Sequence, residues 1–196
     1  LIEAHRVGFG ASGRNGGQLG SGQRVEQTDL EKMVGEAEAL KLWELAENAK
    51  NLVKQLISKH NIDCDLKPGI AHATFSASET AHEHAYVEHL QSRYGYNQIE
   101  ALDSSACQAI CPSNAYKGGS LDMGAAHLHP LAFAIGLARA AVAAGVRIYE
   151  NTMVNEIREG GKPTVRCNHG AIEADHVILA CNGYLGGLER RVAARV

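Results

Sequence analysis

The segment from Gly8 to Gly17 carries the residues best suited to bind a ligand, with the sequence GFGASGRNGG. Its first six residues fit G-x-G-x-x-G, in which glycines allow a tight turn to bring backbone N–H groups against a pyrophosphate. That chemistry requires a buried strand before the glycines and a helix directly after them. Residues 14–23 contain four more glycines, which disfavour a helix. The letters of the motif match, but its surroundings do not predict a first dinucleotide-binding turn.

A short apolar stretch in front of the glycines offers another interpretation. Residues 1–4 (LIEA) resemble the end of a strand that finishes in an acid, Glu3. In dinucleotide-binding folds such an acid binds the ribose hydroxyls, so Glu3 is a candidate ribose ligand. The βαβ unit that Glu3 would close needs about 30 residues, and we expect an equivalent segment before Leu1. The glycines then let the backbone approach a flat or anionic ligand; the alternative is a flexible Gly/Ser loop without a ligand.

The composition is that of a soluble globular protein, with 45% hydrophobic and 21% charged residues in 196. This length allows one large domain or two small interleaved ones. The net charge of −3 argues against a nucleic-acid-binding surface. We expect neither a membrane span nor a signal peptide, and we predict a cytoplasmic protein.

Cysteine and histidine spacing does not predict a metal site. Cys107 and Cys111 lie at i and i+4, but further ligands at metal spacing are missing, so the five cysteines are expected to be reduced thiols. His82, His84 and His89 lie on a polar helix and are predicted to be solvated surface residues.

Helices and strands alternate along the chain, which predicts a mixed α/β fold. One long helix ends near residue 60, with an apolar stripe that we expect to face the core: Leu42, Leu45, Ala46, Ala49, Leu52, Val53, Leu56 and Ile57. A second helix opens at Pro130, where a missing N–H costs nothing. Residues 177–181 form a continuous apolar run that predicts a strand buried on both faces. A glycine-rich turn follows at its carboxyl end, where ligands bind in open α/β sheets.

Four of these segments, in this order, resemble the FAD-dependent amine and amino-acid oxidase family, which includes glycine, sarcosine and D-amino-acid oxidases. The likeness is greatest to its branch of gamma-glutamylputrescine oxidoreductase-type enzymes. The matching segments are residues 1–18, 129–145, 149–154 and 174–183. The resemblance implies a partial FAD/NAD(P)-binding Rossmann-like domain, residues 1–63 and 129–196. It is interleaved with part of an antiparallel-sheet substrate domain, residues 64–128.

The resemblance also implies a set of cofactor contacts. Glu3 corresponds to the ribose-binding acid, residues 11–17 pass along the pyrophosphate and the flavin, and Val154 contacts the adenine through its backbone. The implied FAD contacts are Glu3, Ala11, Ser12, Gly13, Arg14, Asn15, Gly16, Gly17, Val154, Ala180, Asn182 and Gly183. Residues 11–17 contain no Cys or His, so the FAD is expected to be non-covalent. The resemblance assigns no catalytic residue.

The reaction that the resemblance implies is oxidation of an amine or amino acid. The C–H bond beside the nitrogen gives a hydride equivalent to the flavin, water hydrolyses the resulting imine, and oxygen reoxidises the cofactor. We expect the family's first strand, its glycine loop and its helix to lie before Leu1, and its later strands after Val196, in a longer protein. We therefore expect a fragment that, alone, is inactive and binds FAD weakly or not at all.

Two other hypotheses stay open at this point. The chain could be a non-catalytic remnant that serves as an interaction or oligomerisation module. It could also be an NAD-binding Rossmann protein that uses Gly8, Gly10 and Gly13, which requires a helix from residue 13 onward.

Overall fold

A computed structural model describes residues 1–194. The chain forms two compact units. One unit consists of residues 11–137, and the other combines residues 1–10 with the chain from residue 138 onward. Both helices and antiparallel sheets are present, so the predicted mixed α/β class is confirmed. None of the helices within residues 1–194 combines the length and the apolar character needed to cross a membrane.

The unit of residues 11–137 is built around a four-stranded sheet. Its elements are β1 (Gln18–Leu19), α1 (Gln27–Val34), α2 (Glu36–Lys59), β2 (Lys67–Thr74), α3 (Ala77–Tyr94), β3 (Ile99–Asp103), α4 (Ser104–Ile110), β4 (Gly118–His127) and the first part of α5 (Pro130–Ala143). Strand β4 is central and pairs antiparallel with β1, β2 and β3. β1 pairs only with the last two residues of β4, Gln18 with His127 and Leu19 with Ala126.

The long helix α2 forms as predicted, and Ile57 of the predicted apolar stripe is buried, but the helix also buries residues outside that stripe. Its buried residues are Ala39, Trp43, Lys50 and Ile57. Leu45 and Leu52 are 61% and 54% exposed, so the predicted apolar stripe is wrong at these positions. Trp43 instead packs against two tyrosine rings, with centroids 5.3 and 5.2 Å away. The buried face also contains Lys50, whose charge is paired with Glu47. A pattern of apolar residues cannot predict that a lysine is buried.

Helix α3 is fixed at both ends by local hydrogen bonds. Ser76 and Glu79 form a capping box at its start, and Gly95 ends it in the left-handed conformation, with φ 63°. His82 is exposed as predicted, whereas His84 and His89 are half-buried, which corrects the prediction for these two residues. His82 and His89 lie 3.1 and 2.9 Å from the carboxylates of Glu26 and Glu31, and His84 hydrogen-bonds the Leu102 carbonyl. These side chains join α3 to neighbouring segments because acids and a carbonyl oxygen lie opposite them.

A second apolar cluster lies beneath α5. Ile57, Ile62 and Cys64 are buried there, and Phe133 and Leu137 of α5 pack against them. A Cβ on Gly136 would lie 2.2 Å from Cγ2 of Ile62, so only glycine fits at that point of the helix.

The other unit holds a three-stranded antiparallel sheet of β5 (Val154–Arg158), β6 (Thr164–Cys167) and β7 (Gly170–Glu173), followed by α6 (Arg190–Ala193). Residues 177–181, predicted as a buried strand, do not form one, and Ile178 is 88% exposed. A strand requires a hydrogen-bonded neighbour. Within residues 1–194, no segment is paired with this apolar run, so its composition alone does not make a strand.

Candidate functional site

The glycine-rich segment folds as a tight turn and then joins the sheet. Ala11–Gly13 form one turn of 3₁₀-helix, in which the Arg14 N–H donates to the Ala11 carbonyl at 3.2 Å. The next element is β1, and residues 14–26 contain no α-helix. This confirms that the glycines do not open a helix. The NAD-binding hypothesis with Gly8, Gly10 and Gly13 required a helix from residue 13 onward, and that helix does not form.

Asn15 closes this turn with its side chain. Its Nδ2 donates to the carbonyls of Ala11 and Ser12 at 3.0 and 3.2 Å. Its Oδ1 accepts from the Gly17 N–H at 2.8 Å. One amide therefore fixes both ends of the segment, a role that the sequence analysis missed when it considered only backbone N–H groups. The signal was available, because asparagine often hydrogen-bonds nearby backbone in turns.

Gly17 attaches the segment to the end of the sheet. Its φ is +71°, and its carbonyl accepts a hydrogen bond from the Leu128 N–H at 2.9 Å. A Cβ at this position would lie 1.9 Å from the Leu128 carbonyl oxygen. Both the left-handed conformation and the close approach require glycine here.

A cleft of about 310 Å³ lies beside the segment. Apolar groups line most of it, while Ser12 and Asn15 supply polar groups. The lining residues are Ser12, Asn15, Gly17, Gln18, Leu19, Val53, Leu128, Pro130, Phe133, Ala134 and Leu137. Small-molecule pockets span about 300–1,000 Å³. The cleft therefore suits one apolar ring system next to a polar group, rather than a whole dinucleotide.

In the other unit, Glu3 lies beside the segment that leads into β5. Its N–H donates to the Tyr149 carbonyl and its carbonyl accepts from the Thr152 N–H, both at 2.9 Å. Ile2 and Tyr149 form a parallel bridge. The structure thus brings Glu3 close to Thr152, two residues before Val154.

The Glu3 carboxylate retains acceptor capacity. One oxygen accepts from the His5 N–H at 2.9 Å. A carboxylate offers about four lone-pair positions, so this bond leaves several for a ligand hydroxyl. Glu3 is half-buried, whereas a second acid, Glu150, accepts from the Val7 N–H at 2.8 Å and fixes the turn that follows Glu3.

The remaining predicted residues lie near a second turn of the same unit. Ala180 is exposed in the unpaired apolar run. Asn182 has φ +50° and opens a turn of 3₁₀-helix, Asn182–Tyr184, in which its Oδ1 accepts from the Gly183 N–H at 2.7 Å. The Tyr184 ring faces Gly10, with 3.5 Å between Cε2 and the position of a Cβ on that glycine.

Comparison with known families decides the class of this protein. The family described as FAD dependent oxidoreductase matches residues 1–196. The chain belongs to this family. Membership in the FAD-dependent oxidoreductase family confirms the resemblance drawn from the sequence, together with the predicted cofactor class.

Two relatives are similar over nearly all of the chain. The probable oxidoreductase OrdL of Rhizobium meliloti is 40% identical over 197 residues, which cover 100% of this chain and 46% of that protein. The gamma-glutamylputrescine oxidoreductase of Escherichia coli is 37% identical over 186 residues, which cover 95% of this chain and 43% of that protein. The chain therefore spans less than half the length of these relatives.

A solved structure shows the same fold. Glycine oxidase from Geobacillus kaustophilus superposes with a TM-score of 0.76 at 22% identity, covering 97% of this chain and 50% of that one. The predicted FAD contacts and the assignment of residues 64–128 to substrate binding stay predictions.

Proposed function

We propose that the protein in which this chain occurs uses FAD to oxidise the C–N bond of an amine or amino acid to an imine. The observation that carries the proposal is the family match across residues 1–196. Two further observations support it: a relative named for gamma-glutamylputrescine is 37% identical, and the fold is that of a glycine oxidase. Oxygen is proposed as the electron acceptor.

Glu3 is proposed to bind the ribose of FAD. Its backbone is held on both sides, by Tyr149 and Thr152, so the carboxylate projects from a fixed position. A charge-assisted hydrogen bond from a ribose hydroxyl to this group contributes about 1.5–3 kcal/mol. Val154, which begins β5 two residues after Thr152, is proposed to contact the adenine through its main chain. Ala180, Asn182 and Gly183 are proposed to border the cofactor.

Residues 11–17 are proposed to bind the phosphates and the flavin. Residues 11–16 are mostly exposed and include two glycines, so the backbone can come close to an anion, and the Ser12 hydroxyl can donate to a phosphate oxygen. The N–H groups of Arg14 and Gly17 already donate within the turn and are not part of this proposal. Arg14 adds a positive charge that offsets phosphate or the reduced flavin. The apolar cleft beside Ser12 and Asn15 suits a ring system. When bound, FAD supplies the acceptor for the hydride equivalent, and the protein orients it.

Residues 64–128 are proposed to contribute to the substrate domain. They include β2, β3 and β4, three strands of one antiparallel sheet. An amine or amino acid oxidised beside its nitrogen gives an imine, which water then hydrolyses to an aldehyde or keto acid and an amine or ammonia.

The proposal is tested on the full-length protein in which this chain occurs. The purified protein should show flavin absorption, and the released cofactor should be FAD. Addition of an amine and amino-acid panel without oxygen should bleach that absorption for at least one substrate, and readmission of oxygen should release hydrogen peroxide. A protein that neither holds nor takes up FAD would refute the proposal.

The Glu3→Gln variant tests the ribose contact separately. The lost charge-assisted hydrogen bond should raise the Kd for FAD by about 10–150-fold. Glu173→Gln is the matched control, because Glu173 is an exposed acid of β7 in the same unit. Equal FAD affinity in the Glu3→Gln, Glu173→Gln and unchanged proteins would remove Glu3 from the cofactor site.

A further inference from the structure

Lys50 is a buried cation in the middle of α2. The residue is only 4% exposed. Lysine is almost never buried to this extent unless its charge is paired. Its Nζ lies 2.7 Å from an oxygen of Glu47 and donates to the Ser21 hydroxyl at 2.7 Å and to the Tyr96 hydroxyl at 3.3 Å. Ser21 follows β1 by two residues, so the buried charge contacts the chain just beyond the candidate site.

The hydroxyl groups of Ser21 and Tyr96 each accept a hydrogen bond and donate the next, in the direction away from Lys50. The lysine ammonium can only donate, so Ser21 Oγ accepts from it. Tyr96 donates its proton to Asp122 Oδ1 at 2.6 Å, so the Ser21 hydroxyl donates to the Tyr96 oxygen at 2.7 Å. A continuous chain of hydrogen bonds therefore leads from the Lys50 cation to the Asp122 carboxylate.

Asp122 in turn fixes the part of β4 where its pairing with β2 shifts register, between the partners of Pro68 and Ile70. The same Oδ1 accepts from the N–H groups of Gly124 and Ala125 at 2.9 and 3.1 Å. The next two residues of β4 are those that pair with β1. A Cβ on Gly124 would lie 2.0 Å from the Tyr96 hydroxyl, so the backbone of β4 at Gly124 is in close contact with the tyrosine.

The chain of hydrogen bonds therefore fixes both strands of the β1–β4 pair at the end where their backbone pairing stops. Ser21 lies after β1, and Asp122 lies before the paired part of β4. At the other end of the same pair, Leu128 donates to Gly17, the last residue of the candidate cofactor segment. We propose that Lys50 is a positioning residue, which through Ser21, Tyr96 and Asp122 holds residues 17–21 in the geometry needed to bind the cofactor. This inference rests on the proposed function.

The test compares Lys50→Met and Tyr96→Phe with Lys41→Met in the full-length protein. Methionine removes the charge with little change in volume, and phenylalanine keeps the ring that packs on Trp43. Lys41 is the matched control, because it lies on the same helix with its side chain 68% exposed. Two quantities are measured: the Kd for FAD from flavin fluorescence, and hydrogen exchange of the amides of residues 17–21, of β2 and β3, and of β5 to β7.

We expect Lys50→Met and Tyr96→Phe to raise the Kd for FAD by about tenfold or more. Exchange of residues 17–21 should accelerate by about tenfold, while β2, β3 and β5 to β7 keep their rates. Lys41→Met should change neither quantity. A shifted flavin absorption band at saturating FAD would be the further sign of a displaced segment.

Unchanged exchange of residues 17–21 in Lys50→Met would overturn the inference. Equal acceleration across residues 17–21, β2 and β3 would also overturn it, because it would show a general loss of stability. If the unchanged protein binds no FAD, the proposed function fails, and the exchange rates alone then decide whether Lys50 positions this segment.

Discussion

The substitution Gly17→Ala tests whether the glycine-rich segment is held as tightly as its geometry indicates. Alanine at φ +71° adopts the left-handed conformation, which costs about 1–2 kcal/mol. Its Cβ would lie 1.9 Å from the Leu128 carbonyl oxygen, and a real contact needs at least 3.0 Å. The backbone must therefore move, and the hydrogen bond from Leu128 to Gly17, about 0.5–1.5 kcal/mol, weakens or breaks. Together these effects predict a loss of about 1.5–3.5 kcal/mol in the free energy of unfolding.

The neighbouring glycine provides the matched control. A Cβ on Gly16 would meet no atom within 4 Å, and the residue is exposed. Gly16→Ala should therefore change the free energy of unfolding by no more than about 0.5 kcal/mol. The two variants differ by one position in the same segment, so the comparison isolates the local geometry.

Urea unfolding of the 196-residue chain, followed by tryptophan fluorescence, is a suitable assay. Trp43 is the single tryptophan of the chain and is buried in the unit that contains Gly17. With an m value of about 2 kcal/mol per molar, the midpoint for Gly17→Ala should fall by about 1–2 M, and that for Gly16→Ala should hardly move. Equal midpoints for the two variants would refute the close contact between Gly17 and Leu128.

Two further predictions concern the helices around this site. Burial and a hydrogen bond to Glu31 raise the pKa of Tyr94 from its ordinary value of 10 to about 12. The folded state therefore favours the neutral phenol, and the stability that this preference contributes is complete below pH 10 and lost as the pH rises through 12. Between these pH values the unchanged chain should lose up to about 2 kcal/mol that Tyr94→Phe does not lose, and parallel pH profiles of the two unfolding midpoints would contradict this. Gly136→Ala should destabilise the chain by about 1–3 kcal/mol because its Cβ would overlap Ile62. In an Ile62→Ala background the same substitution should cost much less, because only the Cβ of residue 62 then remains close, at 3.0 Å, and an equal cost in both backgrounds would exclude this overlap as the cause.

Features set by neighbouring residues could be predicted from the sequence. The turn at residues 11–17, the end of α2 and the start of α5 depend on glycine, asparagine and proline chemistry within a few residues. The prediction that residues 1–4 end a strand is met only in part, because this segment forms a single parallel bridge, between Ile2 and Tyr149, and no strand.

Features that depend on distant partners could not be predicted in this way. The buried face of α2 is set by Tyr94 and Tyr96, which follow Trp43 by some 50 residues and pack on its ring. The apolar run at 177–181 has the composition of a strand, but pairing depends on a neighbour that composition does not specify.

The candidate site shows why the difference between neighbouring and distant partners matters for function. A ligand bound by backbone N–H groups is recognised only if the backbone itself is fixed, and here the polar groups that fix it belong largely to residues outside a glycine motif. Asn15 closes the turn from within, whereas Lys50 and Asp122 act on the strands that follow and face it. Glycines permit the conformation, but they do not select it. The affinity of such a site for its cofactor should therefore respond to substitutions at Lys50 and Tyr96 as well as to substitutions in the turn.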